Sequence, residues 1–184
     1  MSKKKLTALD TCFCAASIAL HIILELFLTI RIGNDLKITL AALPFLVLAF
    51  ICGPWHGLIS GLVGTFLSQL LTFGITITTP FWILPYAVQA MTAGLIFRAL
   101  HHKVTIRNMA ISVFSAGLAA VIMNLIASYL DGVVFFKYWT VEVLLGLIPI
   151  RLLVWVGLSV IYTFVTYAVT RVLRPYYRRS HAGA

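Results

Sequence analysis

Charge is what this sequence has least of. Only 10% of its 184 residues are Asp, Glu, Lys or Arg, and 5 of them are acidic. A water-soluble domain carries about 25% charged residues, so this chain cannot coat a surface that faces water. Cysteine is scarce too. Cys12, Cys14 and Cys52 are the 3 present. The Cys12-x-Cys14 pair has no His or Cys close in sequence to complete a metal set, and small packing residues are the simpler account. Enzyme signatures are also missing. There is no His-Glu-x-x-His, no Gly-x-x-x-x-Gly-Lys and no pair of membrane aspartates. Ser60 in Gly57-Leu58-Ile59-Ser60-Gly61 is one position off the spacing of an intramembrane serine protease. No nucleophile, base or metal set is clustered, so the chain is expected not to be an enzyme and to bind no cofactor or metal itself. Internal repeats, the mark of many secondary carriers, are not evident either.

What the chain has in abundance is apolar sequence, at 61%. A membrane span needs about 20 mostly apolar residues. Six stretches qualify or come close, at about residues 6–30, 37–52, 55–73, 80–100, 108–129 and 141–173. The second is short and ends at Gly53-Pro54, a strong break. The last is too long for one straight span, and Pro149 removes a backbone donor near its start. The expected fold is an all-α membrane protein of six transmembrane helices, with the last span kinked near Pro149. Residues 1–173 form one domain and 174–184 a basic tail lying on anionic lipid.

The net charge of +9 comes from basic residues at segment ends, not from one soluble face. This argues for membrane topology over nucleic-acid binding. With the N-terminus inside, the inner segments hold Lys3, Lys4, Lys5, Arg98, Lys103, Arg107, Arg171, Arg174, Arg178 and Arg179. The outer segments hold only Arg31, Lys37 and Lys137. Both termini are therefore expected in the cytoplasm of a prokaryotic cell, with the chain crossing its plasma membrane several times.

Ionisable groups inside spans are costly and mark functional sites or buried pairs. Arg151 lies within the last apolar stretch. Its guanidinium can hold a ligand carboxylate or phosphate, pair with Glu25 of the first span, or snorkel to the surface. Gln69, Gln89 and Asn124 place one amide in each of spans three, four and five. Each can tie helices together or face a ligand. Trp82 and Tyr86 follow an outer loop rich in Thr and Gly and fit either an interfacial belt or a pocket. His21 reads as a packed, hydrogen-bonded residue. The first span carries small residues at Ala8, Cys12, Ala15, Ala16 and Ala19, and spans three and four carry Gly57, Gly61, Gly64, Ala90 and Gly94. Such ladders allow close helix packing, either within the protein or against a partner.

The stretches Lys37-Ile38-Thr39-Leu40-Ala41-Ala42-Leu43-Pro44 and Cys52-Gly53-Pro54-Trp55-His56-Gly57-Leu58-Ile59-Ser60-Gly61, with Thr78-Thr79-Pro80-Phe81-Trp82-Ile83-Leu84-Pro85 further on, carry a resemblance. They are similar to the substrate-binding S components of energy-coupling factor (ECF) vitamin transporters, nearest the folate-type group. The resemblance implies a subunit that captures a vitamin or precursor in an outward pocket formed by outer loops and the last three spans. It implies docking on a transmembrane coupling subunit and two ATPases, which use the ATP. Trp82, Tyr86, Gln89, Asn124 and Arg151 are then the pocket candidates, and Ala15 and Ala19 the docking face. Arg151 favours an anionic ligand, with pantothenate or a carboxylated heterocycle open. The alternatives are a stand-alone secondary carrier or channel, a small membrane enzyme, or a structural membrane protein.

Overall fold

The computed structural model describes residues 7–32 and 36–182. Leu6 and the basic residues Lys3, Lys4 and Lys5 lie outside the described residues, as do Gly33, Asn34 and Asp35 of the first expected outer loop. α1 spans Ala8–Phe27. Thr7 and Asp10 close its first turn reciprocally, each side chain bonding the other's backbone N–H, which satisfies two donors that a helix start leaves open. A two-stranded antiparallel hairpin follows, β1 (Ile30–Ile32) against β2 (Leu36–Ile38), with Arg31 opposite Lys37.

The next apolar run, expected to cross the membrane, does not form one long helix. Its first residues belong to β2, and α2 covers only Leu43–Ile51. Nine residues reach about 14 Å, less than half of the ~30 Å hydrocarbon core. Leu43 and Pro44 occupy its first turn, where proline loses no helix bond. α2 is instead the interior of the protein. Phe45, Leu46, Leu48 and Phe50 are almost fully buried, and α1, α3, α4 and α7 all pack on it.

Gly53, at φ 114, turns the chain into α3 (Pro54–Thr72), a backbone conformation that costs glycine little. α4 spans Thr79–Ala99 and contains Pro85. Proline cannot donate to the carbonyl one turn earlier, which leaves that of Phe81 without its helical partner. α5 (Ile106–Tyr129) continues into a single wider turn, the π-helix Leu130–Phe135. The expected kink near Pro149 proves to be a break. α6 (Val141–Gly146) ends, Leu147 forms a turn, and α7 (Ile148–Ala182) begins with Pro149 in its first turn. There proline fits a helix start instead of bending a helix interior. α7 runs on through Arg174 and the basic residues beyond it.

Among the described residues, four helical segments are long and apolar enough to cross a membrane: Ala8–Phe27, Thr79–Ala99, Ile106–Phe135 and Val141–Tyr177. Leucine, isoleucine and phenylalanine side chains such as Phe27, Leu71, Leu153 and Phe164 are exposed on the outside of the bundle, as a lipid-facing surface requires. The helices pack in the order α1, α3, α4, α5, α7, around α2. The two ends of this array are chemically distinct. At one end Tyr177 of α7 donates to Asp10 of α1 at 2.5 Å, so the first and last helices have their chain-terminal ends together.

Candidate functional site

At the opposite end, a cavity of about 220 Å³ opens among α1, β2, α3, α4, α5 and α7. Trp82, Tyr86, Gln89, Asn124 and Arg151 all line it. Five residues chosen from three separate stretches of sequence thus converge on one space. α3 contributes as well, through Gln69 and the capping residue Phe73, and the start of the chain through Glu25 and Lys37. The cavity therefore draws on more of the molecule than the outer loops and last three spans.

Helical spacing explains the convergence. Arg151 shares a face of α7 with Trp155, Leu158, Ser159 and Tyr162, and all five line the cavity. α4 offers Trp82, Pro85, Tyr86 and Gln89 at the same spacing, and α3 offers Thr65, Ser68, Gln69 and Thr72. Trp155 and Tyr162 are missed by a search for charged or amide groups. Counting in steps of three and four from Arg151 would have found them.

Glu25 does not pair with Arg151. Its carboxylate takes the ammonium of Lys37, across the cavity mouth from the hairpin, and a bond from the Tyr86 hydroxyl at 3.4 Å. Arg151 is held by its own neighbour instead. Its Nη1 donates to the fully buried Ser128 Oγ at 3.0 Å. Among the described residues, the cavity wall thus carries two cations, Lys37 and Arg151, against one carboxylate.

The amides behave differently from the charges. The side-chain amides of Gln69, Gln89 and Asn124 line the cavity and make no hydrogen bond with the described residues. As helix glue they would be bonded to a neighbouring helix. Thr65 adds a buried hydroxyl with no protein partner. An unpaired buried polar group costs about 1–3 kcal/mol, a cost that a ligand with matching donors and acceptors removes.

Other polar groups serve the scaffold. Tyr162 lines the cavity but spends its hydroxyl on Thr39 O at 2.6 Å, tying α7 to the segment that follows the hairpin. Trp155 donates to Phe114 O at 3.2 Å, which fixes its ring beside α5. His21 is fully buried beneath the cavity, its Nδ1 donating to Ala41 O at 2.7 Å and its Nε2 meeting Ser68 Oγ at 3.3 Å. It is a packed histidine, as the sequence suggests. Ala15 and Ala19 do not line the cavity and lie on an exposed face of α1.

Comparison with known proteins bears on both fold and site. The chain resembles a solved S component of a bacterial ECF transporter, with a TM-score of 0.66 and 20% identity over 90% of this chain and 97% of that one. It also resembles the structure of ThiT from Listeria monocytogenes, with a TM-score of 0.67 and 18% identity over 92% of this chain and 96% of that one. At such identities the likeness establishes the fold. Among curated protein sequences, none matches. The family model for the S component of ECF-type riboflavin transporters matches residues 5–171. A match over nearly the whole chain means that this membrane protein belongs to that family, whose members are the substrate-binding subunits of ECF importers.

Proposed function

We propose that the cavity takes a vitamin built on a planar nitrogen heterocycle, with riboflavin the first candidate. Three uncommitted amides facing one aromatic-walled space carry this reading. Trp82, Tyr86 and Trp155 supply flat apolar surface for a ring. Gln69, Gln89 and Asn124 supply both donors and acceptors for the carbonyl and ring nitrogens at its edge. Arg151 donates to the most electron-rich oxygen of the ligand. The family match adds the riboflavin-type S component to this argument, in place of the folate-type group nearest by sequence.

A second reading has its own observation. Lys37 and Arg151 outnumber Glu25 on the cavity wall, which suits an anionic ligand such as a carboxylated heterocycle. Isothermal titration of the detergent-solubilised protein with riboflavin, folate and pantothenate separates the two. Saturable binding of riboflavin alone supports the neutral heterocycle, and binding only of a carboxylate supports the anion. Arg151→Met is expected to weaken binding about tenfold or more, as loss of a charge-assisted bond does, while the protein remains monodisperse. Unchanged affinity would remove Arg151 from the site.

The same reading orders the protein in the membrane. The end that carries Asp10 and Tyr177 also carries Arg98, Lys103, Arg107, Arg171 and Arg174, so it faces the cytoplasm and the cavity opens outward. Six helical segments then cross or enter the bilayer, with α2 as a short one sheltered inside. The exposed Ala15 and Ala19 form the face that docks on a coupling subunit, itself driven by two ATPases.

A further inference from the structure

A second cavity, of about 400 Å³, lies at the end of the bundle away from the ligand cavity. Its walls are His102, Val104, Thr170, Arg171, Arg174 and Pro175. Two guanidiniums and an imidazole line it, and among the described residues no carboxylate does.

The cavity is built on a strained turn. His101 and His102, between α4 and α5, both have left-handed backbone, at φ 56 and 57. Each such residue without glycine's freedom costs about 1 kcal/mol or more, so something must hold the turn. Arg174 does so. Its Nη1 donates to His102 O at 2.6 Å, and its guanidinium lies 4.9 Å from the Phe97 ring centroid. Only 7% of Arg174 is exposed. One arginine is thus pinned on the wall, and Arg171 stands exposed at the opening.

Thr170 supplies an independent sign of a missing partner. It is fully buried, it lines the cavity, and its Oγ1 has no hydrogen-bond partner. Depth supplies another. Thr170 is 22 residues beyond Ile148, the first residue of α7, or about 33 Å along the axis. That is close to the ~30 Å thickness of the hydrocarbon core, so in the orientation proposed above, with Ile148 near the outer face, the cavity lies at the level of lipid headgroups.

We propose that this cavity binds a phosphate group at the membrane surface, carried by an anionic phospholipid. Planar guanidiniums match phosphate oxygens with paired, charge-assisted bonds, and the Thr170 hydroxyl adds a neutral donor. Basic pockets between membrane helices recognise such headgroups.

The test uses the full chain in detergent and native mass spectrometry after addition of phosphatidylglycerol, phosphatidylcholine or inorganic phosphate. Arg174 anchors the turn and is left intact. Thr170→Val and Arg171→Gln are the variants, and Arg107→Gln, exposed at the same end, is the charge control. Selective retention of phosphatidylglycerol, reduced about fivefold in both variants and unchanged in the control, supports the headgroup site. No lipid retention, but thermal stabilisation by millimolar phosphate that is lost in the same two variants, supports a site for free phosphate. Neither response, or an equal loss in Arg107→Gln, overturns the proposal.

Discussion

Along α3 the small residues Gly57, Ser60, Gly61 and Gly64 are all covered by other helices, whereas along α1 Ala8, Cys12, Ala15, Ala16 and Ala19 face outward. The two stripes look alike in sequence, with small side chains recurring every three or four residues. Their surroundings differ completely. A side chain added at Gly57 would sit 2.8 Å from Ala49 Cβ, at Gly61 2.8 Å from Ala87 Cα, and at Gly64 2.6 Å from the Phe45 ring. Gly94 of α4 is as tight, 2.8 Å from Pro54 Cα. The α3 stripe is what lets α2 and α4 approach. The α1 stripe is an unfilled version of the same device, and small-residue faces of this kind suit helix association in a bilayer.

The sharpest way to break the comparison is to fill the buried stripe. Gly61→Val places its side chain against the backbone of α4, which cannot yield by a rotamer change. A loss of about 3 kcal/mol, at the upper end of overpacking costs, should appear as a lower melting temperature and poor recovery from detergent. A variant as stable as the parent would show that the α3–α4 contact is looser than 2.8 Å implies.

The exposed stripe should respond in the opposite sense. Ala15→Trp with Ala19→Trp is expected to leave stability within about 0.5 kcal/mol, as for exposed positions elsewhere. Ligand affinity should be unchanged. Uptake by cells that hold the coupling subunit and ATPases should fall to background. Uptake at the parental rate would take this face of α1 out of the docking surface.

A smaller effect is expected at Gly117, where a new Cβ would meet Trp155 Nε1 at 2.5 Å. The indole is tied to Phe114 O and must move to admit the methyl, so Gly117→Ala should cost about 1–2 kcal/mol of stability. Because Trp155 lines the cavity, ligand affinity should drop severalfold. Equal affinity in a calorimetric titration would mean that the Trp155 ring does not touch the ligand.

Smallest of all is Ser60→Ala, on the buried stripe itself. The Ser60 hydroxyl is buried without a partner. Removing an unsatisfied group relieves its desolvation, so thermal melting should show a change between zero and about 1 kcal/mol in favour of the variant. A clear destabilisation would reveal a hydrogen bond to Ser60 in the bilayer.

Much of the fold could be read directly. The runs near residues 55–73, 80–100 and 108–129 correspond closely to α3, α4 and α5, because about 20 apolar residues have few options other than a helix in lipid. The stretch from Lys37 to Cys52 misled because hydrophobicity does not say what a segment is buried in. α2 is apolar all round since protein covers most of it, and a lipid-facing span would look the same. Pro149 likewise marks an interruption without saying whether a helix bends there or starts there.

The candidate site was legible through cost. Arg151, Gln89 and Asn124 stand out because polar groups are expensive in a bilayer. Trp155 and Tyr162 carry no such cost and merge with their apolar neighbours. Glu25 could be named as a partner of Arg151, but its actual partner, Lys37, lies 12 residues away through a hairpin, and strand pairing of that kind is not visible in hydrophobic periodicity.

By itself the sequence determined that lipid is the solvent, where the long helices run, which polar groups lie within apolar spans, and which end of the bundle is basic. These follow from local composition and helical period, which neighbours cannot override. Only the tertiary structure decided that α2 is core, that Lys37 and not Arg151 takes Glu25, that three amides are left uncommitted around one cavity, and that one small-residue stripe is closed while the other stays open. Each of these depends on which faces meet, and helix faces are chosen by packing between segments distant in the chain.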